Sequence, residues 1–262
     1  MRFEDLDWAA LDRLRATFLA SARGGGSYWR SEQDLQAYDI TFARRIAWKW
    51  EAVLSELDRL GWRPPGCDVA VDAGGVGDVR GDRRVPLADW GCGSGVATRC
   101  VRSWLGPAAP VRSLLWDRSA MAADFAARRM RETFPAAMVE VRQPAPGSDA
   151  GCILLLSHVL NELGPEGLAE VLKLAGSSAA VLWVEAGTRE NSRALMAVRE
   201  QLIRTHAVIA PCTHGLPCGM LTPGMEQHWC HFFAAPPPDI FSDSDWTRFA
   251  QRAGIDLRGL PR

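Results

Sequence analysis

The sequence predicts an α/β fold: a mostly parallel, doubly wound sheet with an antiparallel last strand, preceded by a helical N-terminal region. Three observations carry this. From Val85 onward short apolar runs alternate with amphipathic segments, a glycine loop follows the first of those runs, and residues 1–62 hold helical periodicity instead. Strands are expected at Val85–Asp89, Arg112–Asp117, Met138–Val141, Cys152–Ser157 and Ala180–Glu185. Helices are expected between them at Ser94–Leu105, Ala120–Thr133 and Glu166–Ala175, then at residues 191–205 and Ser244–Ala253. Parallel strands need crossovers, and strand–helix alternation supplies them.

The N-terminal region is read from Leu11, Leu14 and Phe18, and from Leu35–Leu60, where Ile40, Ala43, Ala47, Trp50, Leu54 and Leu57 keep a helical stripe. The run Arg23-Gly24-Gly25-Gly26-Ser27 breaks the two segments, and residues 63–82, rich in Pro, Gly and Asp, read as a linker. The expected division is therefore a helical region and linker over 1–82 and a second domain over 83–262.

Composition bounds the function. Hydrophobic residues make up 47% of the 262, enough for a sizeable core. No apolar run approaches membrane-spanning length, and the acidic opening MRFEDLDWAALDRL is unlike a secretory signal, so the expected location is the cytoplasm. A net charge of −1 excludes a strong global pull toward nucleic acid, and neither DNA nor a membrane is an expected partner. Between Arg80 and Arg142, however, eleven arginines face six acids, either a modest RNA-facing surface or a solvated helix face.

The strongest motif is VPLADWGCGSGVAT over residues 85–98. A strand ends at Asp89, and Gly91, Gly93 and Gly95 follow at alternate positions before a helix. Glycine belongs where the backbone turns sharply and must approach a ligand, and the helix start offers free N–H groups. Twenty-two residues past Gly95 the next strand ends at Asp117, where a carboxylate can accept from a ribose diol. The pattern is D-x-G-x-G-x-G rather than the G-x-G-x-x-G of a dinucleotide fold. An acid two residues before the first glycine repels a pyrophosphate but suits the cationic amino-acid end of S-adenosylmethionine, directly or through water. This resembles the first motif of class I, Rossmann-like methyltransferases, and a nicotinamide oxidoreductase is disfavoured. In CILLLSHVLNEL the fourth strand turns polar at Ser157 and His158, with Asn161 just beyond. These side chains are expected to face the donor methyl at the carboxyl end of the sheet. His158 is either a general base or a structural histidine that caps the strand.

Cys212, Cys218 and Cys230 lie with three histidines in PCTHGLPCGMLTPGMEQHWCHFF. If Ala207–Pro211 and Trp229–Ala234 form the last two strands as an antiparallel hairpin, Cys212 and Cys230 meet at its mouth and Cys218 covers them. Three soft thiolates in the 212–231 loop suit zinc or an iron–sulfur cluster.

The segments DLQAYDITFARRIAWKW, SHVLNEL, WVEAGT, APCTHGLPC and HWCHFF resemble the methyltransferase-like family of small-ribosomal-subunit assembly factors, known from mitochondria and with short bacterial relatives. The resemblance covers roughly residues 28–260. It implies a class I methyltransferase fold, S-adenosylmethionine binding and association with small-subunit ribosomal RNA or the assembling subunit. It also implies a [4Fe–4S] cluster on four cysteines, three of which match Cys212, Cys218 and Cys230. No cysteine follows Cys230 in this sequence, so the alternatives are that His214, His228 or His231 completes a zinc or iron–sulfur site, or that one cluster iron stays open or is lost. Two functions remain open on these grounds: a methyltransferase with His158 and Asn161 near the methyl, or a non-catalytic assembly factor that keeps the fold.

Overall fold

The structure is a computed structural model and describes residues 3–19, 29–67 and 84–261. The predicted break at 23–27 and residues 68–82 of the predicted linker lie outside the described residues. Three helices come first: α1 (Trp8–Leu19), α2 (Glu32–Ile40) and α3 (Phe42–Arg59). The long helix read over 35–60 is divided at Thr41, whose hydroxyl donates to the Ala37 carbonyl at 2.6 Å. Ser31 caps α2 by accepting from the Asp34 N–H, the ordinary use of serine at a helix start.

Five parallel strands then alternate with helices: β1 (Val85–Trp90), α4 (Val96–Leu105), β2 (Val111–Trp116), α5 (Ala120–Thr133), β3 (Val139–Val141), β4 (Ile153–Ser157), α6 (Pro165–Gly176), β5 (Ala180–Val184) and α7 (Arg189–Leu202). Their order in the sheet is β3-β2-β1-β4-β5, so the chain reverses direction of travel between β1 and β4. That is the doubly wound, Rossmann-like arrangement, and its switch point places a crevice at the carboxyl ends of β1 and β4. The central strands are buried on both faces, which is why they read as unbroken apolar runs. Leu87, Ile153 and Leu155 pack toward α3 and α4, while Ala88, Leu154 and Leu156 pack toward α6 and α7.

The expected terminal hairpin is not formed. Residues 207–211 are not a strand, and only Phe233–Ala234 (β6) of the second run is extended; it pairs antiparallel with Leu260–Pro261 (β7) in a separate ladder. The reason is local. The Cys230 carbonyl accepts from Ser192 of α7, so this backbone group of the second run is engaged outside any ladder, and Trp229 Nε1 holds the run to the Gly187 carbonyl at 3.2 Å. The last helix, α8 (Ser244–Ala253), is capped by Asp243 and packs with α1 and α3 through Trp48, Trp246 and Phe249.

The N-terminal helices share the core of the sheet. Trp50, Leu54 and Leu57 of α3 lie in one cluster with Leu87, Val101, Ile153 and Leu182, and Trp50 is fully buried. Trp50→Ala should therefore lower global stability by about 3–5 kcal/mol. Urea unfolding followed by far-ultraviolet dichroism should show one transition with a lowered midpoint. A second transition leaving the sheet intact would show that α3 folds apart from it.

Candidate functional site

The site is built by the turn after β1. Gly91 and Cys92 donate their N–H groups to the Trp116 carbonyl at 2.8 and 2.9 Å, which ties the loop to the end of β2. Gly91, Gly93 and Gly95 all have positive φ, a region costly for residues with a Cβ. A Cβ on Gly91 would stand 2.7 Å from Val159 Cγ1, and one on Gly95 2.8 Å from Ala126 Cβ. A Cβ on Gly93 would meet nothing within 4 Å, because Gly93 borders a cavity of about 560 Å³.

That cavity lies at the carboxyl edge of the sheet. Its floor is Trp90, Gly91, Gly93, Trp116, Asp117 and Ser119, with Ser157, His158 and Asn161 beyond. Its roof is Tyr38, Phe42, Arg45, Ile46 and Lys49 of α2 and α3. The paired ends of β1 and β2 carry Trp90 and Trp116, whose rings lie 4.6 Å apart between centroids.

Asp117 anchors the second strand end. One carboxylate oxygen accepts from Gly93 N–H at 2.9 Å and the other from Ser119 N–H at 2.8 Å. Each oxygen keeps a second lone-pair site toward the cavity, enough for a diol. Burial raises its pKa, with the two backbone bonds acting in the other direction.

Asp89 lies behind the glycine turn, away from the cavity wall. It is fully buried, does not line the cavity, and gives one oxygen to Thr98 N–H at 3.3 Å and the Thr98 hydroxyl at 2.6 Å. Oδ2 thus braces the first turn of α4, where negative charge suits the helix dipole, while Oδ1 is sealed with no hydrogen-bond partner among the described residues. Gly95 likewise does not border the cavity; it is the N-cap of α4 and allows α5 to approach.

Ser157 accepts from Trp50 Nε1 at 2.9 Å. His158 is the non-glycine residue with positive φ among those described, and its Nε2 is sealed from solvent with no partner. Burial, and then the charge of Lys49, push its pKa well below the usual range, so the ring is neutral. Two residues here were not singled out from sequence. Glu185 accepts from Val159 and Leu160 N–H at 3.0 Å each and from Trp183 Nε1 at 2.8 Å, which fixes the turn that presses Val159 onto Gly91. Burial raises its pKa to about 7. Lys49 lines the roof although it sits in the N-terminal region. Both lie in segments that carry the family resemblance, DLQAYDITFARRIAWKW and WVEAGT, but no spacing motif marks either one.

The cysteine loop gathers on α7. Arg189 donates to the Glu226 carbonyl, Arg193 to those of Met220, Met225 and His228, and Arg199 to those of His214 and Leu216. Cys218 Sγ lies 3.8 Å from Met196 Sδ, and the Cys212 sulfur sits against Arg199. Burial, above all, pushes the Cys230 thiol up. Among the described residues, however, no group of three or more His, Cys, Asp or Glu side chains stands close enough to hold a metal ion. His214 Nδ1 accepts from Leu216 N–H at 3.2 Å, and the rings of His228 and His231 bond to their own neighbours. As placed, the residues do not complete a metal site.

The arginine-rich segment is largely answered from within. Arg99 and Arg129 clamp buried Asp39 of α2, and Arg112 and Arg142 hold buried Asp149. Arg128 pairs with Glu32, and Arg131 donates to the Val139 carbonyl. Arg80 and Arg83 lie outside the described residues.

Residues 89–236, more than half of the chain, match a family model described as mitochondrial small ribosomal subunit Rsm22. The chain belongs to the Rsm22 family. The Rsm22 match opens at Asp89 and closes at Pro236, so it takes in the glycine loop, Asp117, the β4 turn and all three loop cysteines. The roof helices precede it. With the observed strand order, the family and the fold agree on a methyltransferase-like, Rossmann-like architecture. Comparison with curated protein sequences gives no match.

The buried Asp89 carboxyl yields a pH dependence. Burial, above all, raises its pKa to about 6, whereas an unfolded chain releases the proton near pH 4 or about there. The native state holds the extra proton between these values, so stability falls as pH rises from about 4 to 6 and levels off above. Asp89→Asn should flatten that limb by about 1–2 kcal/mol, read as the difference in urea midpoint between pH 4.5 and pH 7.5. An unchanged limb would show that Asp89 is not its source.

Proposed function

We propose that this protein binds S-adenosylmethionine and acts on, or at, small-subunit ribosomal RNA during assembly of the subunit. The observation that carries the reading is the cavity over the β1–β4 switch point, lined by the positive-φ turn at Gly91 and Gly93 and by Asp117. Gly93 leaves room for a nucleoside against the backbone, Asp117 offers acceptors to its ribose, and the Trp90 and Trp116 rings offer apolar faces. When bound, the cofactor would supply an electrophilic methyl group. Ser157, His158 and Asn161 border the cavity where that methyl would emerge. The ribosomal partner is supported by membership of the Rsm22 family.

A second reading, an assembly factor that transfers nothing, is favoured by one observation: His158 Nε2 is sealed from solvent. We include an iron–sulfur cluster or zinc on Cys212, Cys218 and Cys230 in the proposal, on the three soft donors that the sequence places in one loop. No step depends on it.

Calorimetry should detect S-adenosylmethionine or S-adenosylhomocysteine, and Asp117→Ala should weaken binding by about 1.5–3 kcal/mol. Binding of NAD with neither of these would overturn the cofactor. RNA carrying small-subunit sequences should be retained on filters at low salt, with affinity falling as salt rises in proportion to the phosphates contacted; no retention at low salt would remove the RNA partner. Anaerobically purified protein should carry iron with sulfide, or one zinc, and lose it on Cys→Ser change at 212, 218 or 230. Metal-free protein would remove the metal from the proposal.

A further inference from the structure

The roof of the cavity carries a buried cation that no other described residue meets with a hydrogen bond or an ion pair. Lys49 is 9% exposed and lines the cavity. Among the described residues its ammonium has no hydrogen-bond or ion-pair partner. One turn earlier, Arg45 differs: its guanidinium donates to the Asp256 and Gly259 carbonyls at 3.4 Å each. The acid whose charge Lys49 senses, Glu185, accepts three hydrogen bonds on Oε1, has a sealed Oε2 with no hydrogen-bond partner among the described residues, and does not border the cavity. Burial pushes the Lys49 pKa down to about 8. A buried, unpaired charge is costly unless a counter-charge arrives, so the missing component is an anion that enters the cavity.

Its position identifies the anion. Trp50, the next residue, donates to Ser157 at the end of β4, and the Lys49 charge is felt by His158 and by Glu185 just after β5. Lys49 therefore stands over the β4 end of the crevice. Asp117 marks the β2 end, and β1 lies between. Two strand spacings separate these ends, about 10 Å. A nucleoside whose ribose sits at Asp117 would extend an S-linked aminocarboxypropyl arm across β1 toward Lys49.

We propose that Lys49 binds the α-carboxylate of S-adenosylmethionine and of its demethylated product. The inference rests on the cofactor reading above. It also changes which charge of the amino-acid end is recognised: the arm meets a cation from the N-terminal roof, while Asp89 stays buried against Thr98.

The test uses the full chain and two ligands that share the nucleoside and sulfur. S-adenosylhomocysteine carries the carboxylate and 5′-methylthioadenosine does not. In calorimetry Lys49→Met should weaken S-adenosylhomocysteine by about ten- to hundred-fold and leave 5′-methylthioadenosine unchanged, which also shows that the pocket is intact. Unchanged S-adenosylhomocysteine affinity would overturn the role of Lys49 while the cofactor reading stands. Equal loss of both ligands would also overturn it, assigning Lys49 to the shape of the roof. Wild-type protein that binds neither ligand would remove the cofactor reading and this inference together.

Discussion

The site depends on one helix being fixed across the carboxyl ends of two strands. Trp50 does this with both parts of its side chain: the ring fills the core between α3 and the sheet, and Nε1 donates to Ser157 at the end of β4. An indole is suited to this because it buries a large apolar area while its single donor must still find an acceptor. Once α3 is held there, Tyr38, Phe42, Ile46 and Lys49 close the crevice from above. The glycine turn closes it from below, pinned by the Trp116 carbonyl and by Glu185 acting through Val159. Without the roof, the switch point of the sheet would be an open groove.

The cysteine loop obeys a different constraint. It has little apolar surface of its own, and Leu216 and Phe233 are left exposed. Its carbonyls are instead gathered by Arg189, Arg193 and Arg199 from successive turns of α7. These hydrogen bonds tie the loop to α7. The same use of arginine recurs around Asp39 and Asp149, where acids with little solvent contact are each held by two guanidinium groups. An excess of arginine in the sequence thus becomes internal bracing before it can become a surface.

What was legible in the sequence follows from where the physics is local. The strands at Ile153–Ser157 and Ala180–Val184 could be read because strands buried on both faces must be apolar throughout. The glycine turn could be read because three positive-φ positions demand glycine at that spacing. Asp117 was legible as a strand-end acid that borders the cavity. The partner of Asp89 was not, because a strand-end carboxylate six residues before a helix N-cap can fold back onto that helix or face a ligand, and only packing decides. Lys49 and Glu185 were hidden for the same reason. The hairpin at 207–234 was misread since apolar residues in short runs resemble strands whether or not their backbone finds a ladder; here carbonyls of the intervening loop are taken by side chains of α7.

The central claim is that one ligand is held between the glycine turn and the N-terminal roof. Amide hydrogen exchange on the full chain, with and without saturating S-adenosylhomocysteine, tests it most directly. The account predicts added protection in three separate stretches: residues 91–95, residues 117–119 and the segment of α3 around residues 45–50. Protection at the first two with none in α3 would contradict the roof, and no ligand-dependent protection in any of the three would contradict the site itself.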